Sequence, residues 1–259
     1  MLVRAVCAGV FLATALFGAS GCRRRTSRPA EAHPAPAGGA ATEDDAGTSI
    51  VEDAQRYAVE SWSFPLDRFA IRIEDVGMKS ALDDVLARTN AELVINAGFF
   101  DREEKPLGLA VSNGAVLSKL APRLSGGVIA SDGQRARLSD SESFLLPEGT
   151  DFAVQCRPRL VVDGQPNVKR DDGHRSERTA LCLRDEGRVV EVVVVRGQAT
   201  ESGGPSLFAL GNFLSRHGCK DALNLDGGPS TGFAVREGEH VHHSPPRSGI
   251  RQAIAFVRR

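Results

Sequence analysis

The sequence predicts a mixed α+β fold: a single strand-rich domain with two or three helices packed on its sheets. Short apolar runs, separated by Gly, Asn and Asp, recur from residue 69 to residue 257. Helical periodicity is confined to two segments, and no internal repeat is present. Aromatic residues make up only 5% of the chain against 41% hydrophobic residues overall, so the core is expected to be aliphatic.

The elements follow in order. Phe69, Ala70, Ile71 and Ile73 suggest a strand, and Ser80 to Arg88 reads as a short helix with Leu82, Val85 and Leu86 on one face. Glu92 to Ile95 is a short apolar strand that runs into Asn96-Ala97-Gly98-Phe99-Phe100. Further strands are expected near Leu107–Val111, Ala115–Leu117, Gly127–Ala130 and Leu160–Val162. Ala180–Leu183 and Val189–Val195 are the clearest strands; Val192–Val195 is apolar throughout, which predicts cover on both faces. Pro205 and Ser206 open a helix through Leu207, Leu210, Phe213 and Leu214 that stops at Gly218. Ala222–Leu225 and Ile254–Val257 complete the set.

The N-terminus predicts export. Arg4 precedes an apolar run from Ala5 to Phe17, and small residues lead to Cys22, so residues 1–21 read as a signal segment. Gly18-Ala19-Ser20-Gly21 before Cys22 resembles a bacterial lipobox, with Ala19 where that pattern prefers Leu, which makes Cys22 the lipidation candidate. Arg23 after the cysteine points to the outer membrane. Residues 22–54, rich in Ala, Pro, Gly and charge, lack hydrophobic periodicity and are expected to be a flexible tether; the folded domain is expected over 55–259.

Charge and cysteines narrow the chemistry. A formal net charge of −1 and basic clusters without interleaved aromatics argue against a nucleic-acid partner. Cys156, Cys182 and Cys219 permit one bridge and one buried thiol, or none, in an oxidising compartment. Their spacing lacks a C-x-x-C pair, so no metal and no other cofactor is assigned. His242-His243 would point to opposite faces of a strand, and a loop is the expectation for them.

Three polar segments stand at strand ends. In Asn224-Leu225-Asp226-Gly227-Gly228-Pro229-Ser230-Thr231 a strand would fix the carboxylate, while the glycines allow close approach and offer N–H groups to an anion. Asp-Gly alone is more often a hairpin turn, but the flanking Asn224, Ser230 and Thr231 give more polar density than a turn needs. Asn96 followed by Gly98 repeats the theme, with at least one of Phe99 and Phe100 as a core anchor. Ser176-Glu177-Arg178-Thr179-Ala180 sets an arginine, which binds phosphate through its planar fork, at a strand mouth; His174 nearby is either an acid or simply exposed.

Together these segments resemble the phosphodiester glycosidase domain family. Asn96 to Phe100, Leu107-Gly108, Val111 to Gly114, Ser125-Gly126-Gly127, Arg178-Thr179-Ala180, Gly197-Gln198, the helix from Ser206 to Arg216, Asn224 to Thr231 and Arg251-Gln252 follow in the family's order over roughly residues 60–257. Two positions depart from it. Arg196 stands where the family often has Asp, with Glu201 as a substitute after a small shift, and Pro229 replaces a third glycine and removes a backbone donor.

The resemblance implies hydrolysis of the bond between a sugar anomeric carbon and the phosphate of a sugar-1-phosphodiester at the bacterial cell envelope. On that basis Asp226 is expected as nucleophile, base or oxocarbenium stabiliser, and Arg178, with Arg251, as the phosphate ligand. Gly227 and Gly228 would be close-approach backbone. Asn96, Ser230 and Thr231 would orient sugar hydroxyls or phosphate oxygens, with Gly98, Thr179 and Glu201 among the binding residues. The alternative is a non-catalytic envelope lipoprotein that binds a glycan or a phosphate-containing polymer in the same cleft. A metal-dependent phosphodiesterase finds only scattered ligands.

Overall fold

The computed structural model describes residues 42–43, 49–79, 81–197 and 203–259. The expected signal segment, most of the tether, Cys22 and Glu201 lie outside the described residues.

The first strands in chain order are β1 (Thr42–Glu43), β2 (Ser49–Glu52), β3 (Gln55–Pro65), β4 (Phe69–Lys79), β5 (Ala91–Asn96) and β6 (Ala110–Ser112). Then come β7 (Ala115–Ser118), β8 (Gly127–Ser131), β9 (Ala136–Asp140), β10 (Phe152–Cys156), β11 (Arg159–Val162) and β12 (Gln165–Pro166). The last six are β13 (Arg178–Arg184), β14 (Val189–Val195), β15 (Asp221–Asn224), β16 (Phe233–Glu237), β17 (His240–Ser244) and β18 (Ile250–Arg258). Two α-helices, α1 (Leu82–Thr89) and α2 (Leu207–Arg216), accompany them.

The strands form three sheets, in the orders β1-β2-β3-β14-β13-β15-β11-β12, β7-β6-β10-β8-β9 and β17-β16-β5-β18-β4. Mixed α+β is right in outline, but strands dominate. Period-two alternation explains the layering: along β14, Val190, Val192 and Val194 enter one core while Val193 and Val195 enter another. The first core is shared by all three sheets, through residues such as Phe64, Ile95, Phe152, Leu181, Phe233 and Ile254. The second lies between the large sheet and α2, and a third lies between the β5–β18 sheet and α1. Both faces of Val192–Val195 are therefore covered, as the unbroken apolar run predicts.

Local signals set the helix ends. Ser206 caps α2, its hydroxyl accepting from Ala209 N at 3.0 Å. After α1, Asn90 turns the chain with φ of 51°. Cys182 on β13 is bonded to Cys219 after α2, and Cys156 is a buried free thiol.

Several strands carry weak sequence signals. Ser49–Glu52 falls inside the stretch read as tether, yet it pairs with β3 through Ser49–Ala58 to Glu52–Gln55. His242 and His243 are on strand β17 rather than in a loop, exposed and paired to Val235 and Ala234 of β16. In both cases a partner strand supplies the order that composition does not reveal.

Candidate active site

Asn96 ends β5, Arg178 begins β13 and Asn224 ends β15, so three strand termini converge. Register brings them together: Ala180 pairs with Asn224, and Ala253 of β18 pairs with Asn96. Beyond Asn224 the chain passes from the large sheet to the neighbouring one, with Leu225 N donating to Thr179 O at 2.8 Å and Asp226 N to Ala97 O at 3.2 Å.

A cleft of about 760 Å³ opens above this junction. Asp226, Gly227, Gly228 and Pro229 line it together with Arg178, His174 and Ser176 on one side. Ser125, Gly126, Asp140, Arg157, Arg159 and Asn224 contribute elsewhere along its wall.

Asp226 is mostly buried, and that burial pushes its carboxyl above the usual aspartate range; hydrogen bonds from the Ser230 side chain and Gly227 N act the other way. Arg178 is 6% exposed. Its Nε donates to Pro205 O at 3.1 Å and its Nη2 to His174 O at 3.2 Å, while Nη1 carries no hydrogen bond among the described residues. Burial lowers its pKa from the ordinary arginine value, but the group remains a cation at any physiological pH. A fixed guanidinium, its Nη1 without a hydrogen bond among the described residues, thus lines the same cleft as a mostly buried carboxyl.

The other expected site residues divide. Asn96 is 1% exposed and does not reach the cleft. Its Nδ2 donates to Asp226 O at 2.7 Å, and its Oδ1 accepts from Thr179 Oγ1 at 2.7 Å and Gly232 N at 3.3 Å. With both ends of the amide engaged, Asn96 and Thr179 hold the main chain of Asp226 from beneath. Gly98 packs near Cys156 Sγ, and buried Thr231 also lies outside the cleft lining. Ser230 reaches the Asp226 carboxylate rather than the open cleft. Arg251 is not a cleft residue at all: its guanidinium pairs with Asp75 on β4. Arg251 falls at the irregularity in the β18–β4 pairing between Ile250 and Gln252.

The expected backbone cradle is also absent. Gly227 N donates to Asp226 Oδ1 at 2.9 Å, and Gly228 N donates to Glu177 O at 2.8 Å, so neither amide is left for an anion. The glycines serve space instead. A Cβ on Gly227 would come within 2.8 Å of Glu177 O, and Gly228 has φ of +59°.

Arg196, the departure before Gly197, lies outside the cleft lining. It faces Glu177, 3% exposed, at 3.4 Å, and Arg247 meets the same carboxylate at 2.6 Å. Arg196 also donates to Ser244 Oγ and to Pro245 O.

Sequence reasoning missed Asp140, Arg157, Arg159 and Asn167 as cleft residues. Arg159 pairs with Asp140 across the cleft wall, and Asn167 Nδ2 donates to Arg159 O at 2.9 Å. None stands in a Gly-rich or motif-like context; Ser125-Gly126-Gly127 was the available pointer, since a Cβ on Gly126 would lie 2.3 Å from Cys156 O beside Arg157. Among the described residues, Cys182, Glu191 and Cys219 bring donor atoms together, but the two sulfurs are bonded to each other and offer no thiolate to a metal.

The arrangement defines a class: a polar cleft at a strand-end junction, lined by a mostly buried acid and a buried cation. The family model for phosphodiester glycosidase matches residues 89–257, and the chain belongs to that family. The chain is similar to uncharacterized protein YigE of Escherichia coli (strain K12), at 24% identity over 125 residues, 44% of this chain and 48% of that protein. Its fold resembles the catalytic domain of zebrafish N-acetylglucosamine-1-phosphodiester alpha-N-acetylglucosaminidase, auto-inhibited by pro-peptide, with a TM-score of 0.62 and 17% identity over 82% of this chain and 81% of that one. A hypothetical protein from Synechocystis gives a TM-score of 0.62 and 16% identity over 81% of this chain and 61% of its own. The chain therefore spans about half of the Escherichia coli relative and under two thirds of the Synechocystis one.

Proposed function

We propose that this domain is a hydrolase that cleaves the bond between a sugar anomeric carbon and the phosphate of a sugar-1-phosphodiester. The observation that carries this reading is the shared cleft of Arg178 and Asp226, together with membership of the family. Arg178 Nη1 meets a non-bridging phosphate oxygen, and a buried guanidinium does so with little reorganisation because its other nitrogens are already held. Asp226 stands at the sugar carbon, as nucleophile or as the charge that stabilises an oxocarbenium ion. A departing phosphate monoester, with a second pKa of about 6, needs little help from a strong acid. Water then enters at carbon, and the products are a free sugar and a phosphate monoester.

We place the enzyme at the bacterial cell envelope, exported by the segment 1–21 and held by lipid on Cys22. Support for this comes from the apolar run and the small residues before Cys22. Incorporation of labelled fatty acid that disappears in Cys22→Ala checks it.

The decisive test is a panel of sugar-1-phosphodiesters offered to wild type and Asp226→Asn. Turnover of at least one member is expected, with a loss of about 10²–10⁴-fold in the variant. Equal rates for the two proteins would remove Asp226 from the chemistry, and affinity without any hydrolysis would leave a binding protein.

A further inference from the structure

We propose that Glu52, on a strand outside the residues matched to the family, is a positioning residue that aims the Arg178 guanidinium at the substrate's phosphate. The inference rests on the assignment of Arg178 made above.

Arg178 is directed by two backbone carbonyls, those of His174 and Pro205. Neither belongs to a helix or strand: His174 lies in the loop before β13, and Pro205 in the stretch before α2. A guanidinium is placed only as well as its acceptors are, so something must hold both loops. The Glu52 carboxylate reaches each of them. Its Oε2 accepts from Ser206 N at 2.8 Å and its Oε1 from Ser206 Oγ at 2.6 Å, one residue from Pro205. The same Oε1 lies 3.3 Å from Arg175 Nη2, one residue from His174.

Glu52 is itself well fixed. It is 3% exposed, and β2 pairs it with Gln55 across a tight turn in which Asp53 and Ala54 both have positive φ. Asp53 and Asp171 meet Arg175 at 2.5 and 2.8 Å, completing the cluster. The negative charges of Asp172 and, after it, of Glu52 favour the cationic form of Arg178 against the cost of burying it. One carboxylate, delivered by a strand from the N-terminal region, thus ties together the two loops that orient the anion ligand.

A purely structural Glu52, serving only to cap α2, makes a different prediction: its loss would lower the melting temperature but leave the folded protein's anion affinity alone. The test is a double-mutant cycle on the full chain, with inorganic phosphate as probe, read by calorimetry well below the melting point of every variant. Glu52→Ala is expected to weaken phosphate binding about tenfold when Arg178 is present, because small misplacements of a positioned group are costly. In the Arg178→Ala background the same substitution changes binding less than about twofold. Glu52→Gln keeps an acceptor for Ser206 and is expected to fall between, which also covers failure of the alanine variant to fold.

Unchanged affinity in Glu52→Gln and Glu52→Ala, or equal weakening in both backgrounds, overturns the inference. Phosphate binding that ignores Arg178→Ala overturns the Arg178 assignment and the inference with it. The expected cycle without hydrolysis of any diester leaves Glu52's role standing and defeats only the glycosidase reading.

Discussion

The Asn96 side chain donates to the main-chain carbonyl of Asp226 at 2.7 Å, joining residues 130 positions apart in the chain. That bond, with those from Thr179 Oγ1 and Gly232 N to the other end of the amide, is what holds the candidate catalytic acid at the junction of two sheets.

Asn96→Ala should therefore act through stability and position together. It leaves two buried donors and one acceptor without partners, at about 1–3 kcal/mol each before relaxation. A total loss of about 3 kcal/mol, or roughly 6–12 °C in Tm for a domain of this size, is expected. Thermal melts check this, and a melting temperature equal to wild type would show that Asn96 does not carry the junction.

Asp226 itself is destabilising where it is charged. Burial raises its folded pKa above the ordinary aspartate value, so the folded state binds its proton more tightly than the unfolded chain does. The associated stability is complete below the unfolded value and is lost as pH rises through the folded one. Asp226→Asn should accordingly melt above wild type at pH 7, with the gap shrinking as pH falls toward 4. A pH-independent gap would mean that the carboxyl is not strained in its site.

Arg196 bears on Glu177 rather than on the cleft. Glu177 is buried and shared with Arg247, so Arg196→Ala removes one of two compensating charges at an expected cost of about 1–3 kcal/mol. Arg196→Asp installs the residue the family often has at this position and places a second acid beside Glu177, so its cost should exceed that of alanine. Urea unfolding midpoints order the three proteins; an aspartate variant as stable as wild type would refute the pairing.

The Cys182–Cys219 bridge closes a segment of 37 residues between β13 and the end of α2. Replacing both cysteines by alanine should cost about 2–4 kcal/mol, chiefly by freeing the unfolded chain. Wild type treated with reductant should approach the double variant in Tm; no change on reduction would show that the bridge adds nothing.

How much of this was legible beforehand depends on the residue. The core strands Ala180–Leu183 and Val189–Val195 announced themselves, because a strand buried on both faces must be apolar throughout. The two helices did so through periodicity and, for α2, the Ser206 cap. By contrast, β2 carries Glu52 and looks like tether, since a four-residue strand gets its order from pairing with its neighbours, chiefly β3. Arg178 and Asp226 could be picked as polar groups at strand ends. Arg251 sat in an equally suggestive motif, but it falls where the β18–β4 pairing is irregular, and its guanidinium pairs with Asp75.

The sequence by itself determined which residues are buried aliphatic strand, where α2 begins, and which strand ends carry polar chemistry; these depend on neighbours in the chain and on hydrophobic period. Only the tertiary structure decided which polar group faces the cleft and which supports it from below. Asn96 and Asp226 look alike as candidates in one dimension. They differ because hydrogen-bond partners more than eighty residues away engage both ends of the amide of one, while the carboxyl of the other is left at the cleft wall.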